Sequence, residues 1–247
     1  MSHQPTEESS PKKRASIDRT HGASLLPKLG FCLLHFGSIL LCLYMVLGAG
    51  TQTIGGWFGQ TWMVHDPVRG QLLVGVAMLY WVRHSVTLFY LLVRKVEWGE
   101  VIGLVLFMLV VEVGFCLLAA GVFREQADPL GGLDAVAIVL VLFGSFLNTG
   151  SEVQRKWWKR DPENKGHCYT GGLFSWSMHI NYFGDTVLFL GWCLLTMNWW
   201  TLALPILMAG SFIFYHIPGL DTYLEERYGD EFVEYSKKTR KFIPFVY

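Results

Sequence analysis

Apolar runs long enough to cross a hydrocarbon layer about 30 Å thick recur along this chain, and they dictate what it can fold into. The first covers residues 29–49, and others cover 72–93, 101–123 and 133–147. Two more, at 182–195 and 199–215, are separated only by Thr196, Met197 and Asn198, a connection so short that it predicts an antiparallel helical hairpin. Six spans are expected, with five plus a re-entrant segment as the alternative. Charge supports a membrane reading: only 16% of residues are charged while 52% are hydrophobic. An ordinary soluble domain is nearer about 25% charged. These values exclude a disordered chain, a disulfide scaffold and a nucleic-acid binder. The expected fold class is all-α, a polytopic membrane helix bundle.

Basic residues orient that bundle. With six spans, 17 of the 20 Lys and Arg residues fall on one side: the N-terminal arm, Arg94 and Lys95, the 155–165 segment and the C-terminal tail. Arg69 and Arg124 fall on the other side, and Arg83 lies within a span. The positive-inside rule then puts both termini in the cytosol. Residues 1–27, which contain Pro11-Lys12-Lys13-Arg14, read as a disordered polar arm before the membrane domain of residues 28–247. No apolar run ending in a small-residue cleavage site closely follows that arm, which argues against a cleaved signal peptide. Lys237, Lys238, Arg240 and Lys241 read as an interfacial basic tail, after a helix that stops at Gly229. Cys32, Cys42, Cys116, Cys168 and Cys193 are odd in number and lack CxxC spacing, so they read as small apolar residues and predict no metal.

Ionisable side chains at membrane depth are costly unless paired or hydrated, which marks His35, Arg83, His84, Glu112 and Asp185. Arg83 and Glu112 lie on consecutive spans and are expected to pair; His35 is expected to be a hydrogen-bonded core residue, and His84 to face a neighbouring helix. Two amide–carboxylate pairs have helical spacing: Asn148 with Glu152, and Asn181 with Asp185. Four residues apart puts each pair on one helix face. An amide donates and accepts, whereas an ionised carboxylate only accepts, so such pairs suit a ligand rich in hydroxyls and amides. They are equally compatible with helix capping. Between the pairs lie Lys159, Arg160 and Lys165, which suit phosphate, and Gly171-Gly172, which permits close backbone approach. No GxGxxG or Walker A pattern is present, so a cofactor is expected at the mouth of a helical bundle.

With these residues in place, the sequence resembles the steroid 5α-reductase family, in a superfamily shared with sterol reductases and isoprenylcysteine carboxyl methyltransferases. The likeness rests on Asn148, Glu152, Lys159-Arg160, Gly171-Gly172-Leu173-Phe174, Asn181-Tyr182-Phe183-Gly184-Asp185 and the terminal Phe242-Ile243-Pro244-Phe245. Weaker matches are Trp57-Phe58-Gly59-Gln60 and Tyr80-Trp81-Val82-Arg83. The resemblance implies an integral membrane enzyme, of the endoplasmic reticulum in a eukaryote or the inner membrane in a bacterium. It further implies NADPH as cofactor and an apolar steroid or similar enone lipid as substrate, reduced at its C=C bond. By the same resemblance Asn148, Glu152, Lys159, Arg160, Asn181, Asp185, Tyr228 and Tyr235 line the cofactor in the 148–247 half. Tyr80, helped by Gln60, holds the substrate carbonyl, where an oriented phenol stabilises developing charge. Three departures stand out: Thr61 replaces the family's Glu, Asp185 replaces Glu, and Met178-His179-Ile180 stands where relatives often read Arg-His-Pro. The alternatives are an S-adenosylmethionine-dependent membrane methyltransferase of the isoprenylcysteine or phospholipid type, whose relatives place a tail helix with Glu and Arg by the cofactor, a place that Glu225, Glu226 and Arg227 could take here, and a non-catalytic lipid-binding relative.

Overall fold

The computed structural model describes residues 22, 24–47 and 49–247, so Lys12, Lys13, Arg14, Arg19 and most of the polar arm lie outside the described residues. Among the described residues every helix or strand assigned is helical: α1 (Leu25–Val46), α2 (Ala49–Trp57), α3 (Pro67–Val86), α4 (Trp98–Ala119), α5 (Gly132–Ser145), α6 (Ser151–Trp158), α7 (Ile180–Leu195), α8 (Ala203–Ser211), α9 (Ile217–Tyr228) and α10 (Asp230–Lys238). Single π-helical turns at Thr87–Leu91, Phe146–Gly150 and Phe212–His216 extend α3 and join α5 to α6 and α8 to α9. Five continuous helices are therefore long and apolar enough to cross a membrane: Leu25–Val46, Pro67–Leu91, Trp98–Ala119, Gly132–Trp158 and Trp199–Tyr228. The protein is a polytopic membrane helix bundle. α7 is apolar but has only 16 residues. At 1.5 Å per residue it reaches about 24 Å, short of the hydrocarbon thickness, yet it runs alongside α5 from the basic end to the opposite end, where Cys193 and Met197 lie beside Leu133.

Apolar side chains explain both faces of the bundle. Leu73, Ala77, Met108, Ala119, Leu188, Trp192 and their neighbours are buried between helices. Leu33, Val110, Leu207 and Phe214 point outward with 70% or more of their surface exposed, as lipid-facing residues do. Four of the five cysteines are buried, as their apolar context predicts, and none is bridged. The expected α7–α8 hairpin is present. Met197 turns it with φ 54°, and the Asn198 side chain accepts from Trp200 N at 3.0 Å.

The bundle has a basic end and an opposite end. At the opposite end Asp66 caps α3 and Arg69 is fully buried. Arg69 donates to Asp66 at 3.2 Å, to both carboxylate oxygens of Asp134 and to the Asp128 carbonyl at 3.1 Å. This clasp ties α3 to α5; the sequence indicated only which side Arg69 is on. At the basic end the C-terminal segment folds back over the start of α7. Met178 N and His179 N donate to the carbonyls of Arg240 and Lys241, and Phe242 is buried against Phe183.

The expected Arg83–Glu112 pair does not form. Glu112 instead lies 2.6 Å from His35 Nε2 and accepts from Ser38, while Arg83 pairs with Asp185 at 2.8 Å. Depth is the reason. α3 and α4 run antiparallel, and counting rise from the basic end puts Glu112 about 9 Å deeper than Arg83. His35 is thus a hydrogen-bonded core residue, as expected, and its partner sits on α4. His84 does turn to neighbouring helices, its ring packing on Phe31 and His35 of α1.

Candidate functional site

α5 and α7 meet almost backbone to backbone because glycines line their contact. A Cβ on Gly144 would stand 2.4 Å from Leu188 N, and one on Gly184 would stand 2.6 Å from Asn148 N. Close approach of this kind is what small residues permit between membrane helices. It brings the two amide–carboxylate pairs together in a crossed arrangement. Asn148 Nδ2 donates to Asp185 Oδ2 at 2.9 Å and to the Asn181 carbonyl at 3.0 Å. Asn181 Nδ2 donates to Glu152 Oε1 at 3.0 Å, and Arg155 donates to the other Glu152 oxygen. Arg83 completes the group, reaching Asp185 Oδ1 at 2.8 Å and Thr149 Oγ1 at 3.1 Å. All four oxygens of the two carboxylates are engaged, so the network is rigid before any ligand arrives. Asn148 stands in the π-helical turn, an irregularity often found at functional positions.

Above this network lies a small recess of about 60 Å³ lined by Arg155, Lys159, Tyr169, His179, Asn181 and Tyr228 among others. Lys159 Nζ donates to the Tyr228 hydroxyl at 2.8 Å and sits 5.4 Å from that ring's centre. The neighbouring Arg160 points elsewhere, donating to the Tyr90 hydroxyl at 2.6 Å. The expectation of Lys159 and Arg160 at the cofactor thus divides: of the two, Lys159 lines the pocket. Tyr235 also lines it, but its hydroxyl donates to the Phe174 carbonyl at 2.5 Å, and burial pushes that phenol's pKa up. Its place is structural support for the Gly171-Gly172-Leu173-Phe174 turn. Gly172 has φ 56°, and a Cβ there would meet the Gln154 side chain at 2.3 Å. Gln154 Oε1 itself accepts from Leu173 N at 2.9 Å, clamping the turn onto α6.

His179 is a pocket residue not marked as a site from the sequence. It is buried, and its Nε2 lies 2.7 Å from Asp221 Oδ1, whose other oxygen holds Lys241 at 2.9 Å. Its partner, Asp221, is an acidic residue three positions past Pro218 in α9, but the pairing spans 42 positions and has no local signature. A second, open recess of about 550 Å³ lies beyond Tyr235 and includes His167, Cys168 and Glu231. Glu231 accepts from the Cys168 amide at 2.8 Å and meets His167 Nδ1 at 2.5 Å. These donors, the Cys168 amide first, hold its carboxyl below the usual range, while burial pushes the Cys168 thiol up.

Tyr80 lies on the deep side of the network. Its buried ring is 5.0 Å from the Arg83 guanidinium and 5.4 to 5.5 Å from Trp192 and Phe189. Gln60 is not with it. That residue is exposed in the connection after α2, where its backbone N–H donates to the Gly55 carbonyl at 2.9 Å. Tyr80 is 13 residues past Pro67 along α3, about 20 Å from the end where Gln60 sits. A straight helix separates the two, and the pairing of Gln60 with Tyr80 is set aside on that ground.

The family described as "Protein of unknown function (DUF1295)" matches residues 93–239, which contain the whole crossed network except Arg83. A relative described as "Probable O-methyltransferase ustE", from Ustilaginoidea virens, is 31% identical over 94 residues. That stretch is 38% of this chain and 33% of the relative, so the chain spans about a third of that protein's length.

Proposed function

The chain belongs to the DUF1295 family, and we propose that within it this protein is an NADPH-dependent reductase of a C=C bond in an apolar enone lipid. One observation carries the reading: a cationic, aromatic-walled pocket at the basic end is joined through Arg83 to a buried phenol one helical turn deeper. The pocket's donor set fits a multiply anionic dinucleotide. Arg155 and Lys159 are cationic, and Asn181 and Tyr228 add an amide and a hydroxyl. Charge-assisted bonds from such cations are the usual means of holding phosphate.

In this reading Lys159 and Arg155 hold phosphate, while Asn181 and Asn148, fixed by Glu152 and Asp185, orient the rest of the cofactor. When bound, NADPH supplies the hydride. Tyr80 donates its phenolic hydrogen to the carbonyl oxygen, on which negative charge develops, and the surrounding Phe189 and Trp192 keep water from that point.

The similarity to the probable O-methyltransferase favours a second reading, S-adenosylmethionine-dependent transfer to a lipid. Charge weighs against it, because S-adenosylmethionine carries a sulfonium and an ammonium against one carboxylate. The melting temperature of the purified chain with NADPH, NADH and S-adenosylmethionine decides. A rise with NADPH supports the reductase; a rise with S-adenosylmethionine alone replaces it with the methyltransferase; no rise in folded protein leaves a binding role. Tyr80→Phe is expected to lower turnover far more than cofactor affinity. Unchanged turnover removes Tyr80 from the reaction.

A further inference from the structure

Tyr80 has unusual neighbours. Among the described residues six buried side-chain polar atoms have no hydrogen-bond partner: Arg124 Nε and Ser145 Oγ lie elsewhere, and the other four are His35 Nδ1, Arg83 Nη1, His84 Nδ1 and Trp192 Nε1. All four belong to side chains packed around this one phenol: His84 at 4.4 Å between ring centres, Trp192 at 5.4 Å, His35 at 6.3 Å, and the Arg83 guanidinium at 5.0 Å. Buried polar atoms are otherwise almost always paired, so a cluster of unpaired ones marks a place built to exchange hydrogen bonds.

The two histidines lead away from Tyr80 to a carboxylate. His84 and His35 stand 5.2 Å apart by ring centre with no hydrogen bond between them, a gap that one water can bridge for proton transfer. His35 Nε2 is 2.6 Å from Glu112 Oε1, and Ser38 donates to Glu112 Oε2. Both His35 and Glu112 are fully buried. With Nε2 turned to Glu112, the free position of His35 is Nδ1, which accepts when the ring is neutral and donates when it is protonated. The other ionisable groups facing this cluster are Arg83 on α3, Asp185 on α7, and the Cys42–Cys116 thiols on α1 and α4.

We propose that Glu112, His35 and His84 form a buried proton store that serves Tyr80, acting as positioning residues rather than as groups that touch substrate. The assignment rests on the reductase reading for what Tyr80 does with the proton. Bound NADPH would supply hydride to the enone β-carbon; the C=C pair would move between the α-carbon and the carbonyl carbon, the C=O pair onto oxygen, and the Tyr80 phenolic proton to that oxygen. The enol relaxes to the ketone as that proton passes to the α-carbon. The tyrosinate takes its proton back from His84, His84 from His35, and solvent refills the store between turnovers. Each cycle thus adds one hydride and one proton across the C=C bond.

The ligand-free full chain tests the store without any cofactor. With ¹⁵N-labelled histidine, His35→Gln and His84→Gln assign the two ring signals. Glu112→Gln is expected to move the His84 signal by the large displacement that accompanies a change of protonation, although the two residues do not touch. A His84 signal indifferent to Glu112→Gln overturns the proposal. Turnover of progesterone with NADPH gives the second reading: Glu112→Gln is expected to lower kcat about tenfold or more, with KM for NADPH changed less than about twofold. Glu112→Asp, which keeps the carboxylate, is expected to restore part of the rate. Equal loss in both variants overturns the store in favour of a packing role. Coupled histidine signals with no reduction of progesterone uphold the store and place the failure in the reductase reading.

Discussion

Asn148 donates through Nδ2 to a carboxylate oxygen of Asp185 at 2.9 Å, joining two helices across 37 positions of sequence. The other oxygen of Asp185 is taken by Arg83, so this carboxylate is braced from both sides. Asp185→Ala leaves a largely buried guanidinium unpaired, which costs about 3 kcal/mol when one partner of such a pair is removed. Asp185→Asn retains a polar contact for Asn148 and is expected to cost less. Both variants are expected to weaken NADPH, the alanine more, because Asn148 loses its orientation. Thermal denaturation and nucleotide titration in parallel check this; unaltered affinity in both removes Asp185 from the cofactor site.

The network depends on a backbone contact that one methyl group disrupts. In Gly184→Ala the new Cβ meets Asn148 N at 2.6 Å and the Gly144 carbonyl at 2.8 Å, neither of which is a flexible side chain. Overpacking of this kind costs about 1–3 kcal/mol. The expected outcome is a lowered melting temperature together with weaker nucleotide binding, as α5 and α7 separate. Gly103→Ala on α4, where the added Cβ meets nothing within 4 Å, is the control and is expected to be neutral or slightly stabilising.

The crossed pairs were readable because helical spacing of four fixes Asn148 with Glu152 and Asn181 with Asp185 on their own helices. What spacing does not carry is which pair faces which, and here the amide of each pair binds the carboxylate of the other. The spans were legible for a similar reason, since bilayer thickness imposes a length on apolar runs. α7 is harder to read: its apolar run is short for a span, and its packing along α5 is what carries it from one end of the bundle to the other. Arg83 was paired by proximity along the chain with Glu112, but antiparallel helices pair residues by depth. Gln60 was joined to Tyr80 by resemblance alone, and no local signal indicates that a helix would hold them at opposite ends.

Arg69 bears the opposite end of the bundle. All three guanidinium nitrogens have acceptors on Asp66, Asp134 or the Asp128 carbonyl, and the side chain is wholly enclosed. Arg69→Met strands two buried carboxylates and is expected to cost about 3–5 kcal/mol. Arg69→Lys is expected to rescue little, since an ammonium lacks the planar fork that meets both carboxylates. Because the clasp is remote from the pocket, the folded fraction is expected to keep its nucleotide affinity. A loss of affinity without a loss of stability contradicts this division between the two ends.

Glu231 makes the docking of α10 dependent on pH. The Cys168 amide and His167 hold its carboxyl below the ordinary 4.5. A group with a depressed folded pKa contributes stability above its unfolded value and loses it as pH falls through the folded one. The contact between the 167–168 segment and α10 is therefore expected to persist at neutral pH and to weaken in acid. Melting temperatures from about pH 6 to about pH 3 should fall less steeply in Glu231→Gln than in the native chain. Parallel curves for the two proteins count against the assignment.

Lys159 and Arg160 are adjacent in sequence and diverge in space, which makes them a discriminating pair. Lys159 faces the pocket beside Tyr228, whereas Arg160 is committed to Tyr90 on the other flank of α6. If Lys159 holds a phosphate, Lys159→Gln removes one charge-assisted bond worth about 1.5–3 kcal/mol, roughly tenfold or more in NADPH affinity. Arg160→Gln removes the same formal charge from the same helix end and is expected to change affinity by less than about twofold, because Arg160 does not line the pocket and an exposed charge outside it is screened by salt. Calorimetric titration at low and high salt separates the two contributions: general attraction fades with salt in both variants, while the Lys159 deficit remains. Comparing NADPH with NADH locates the contact. A deficit confined to NADPH puts Lys159 on the 2′-phosphate, and a deficit shared by both puts it on the pyrophosphate. Equal losses in Lys159→Gln and Arg160→Gln reduce the basic end to a nonspecific field and remove the pocket as the nucleotide site.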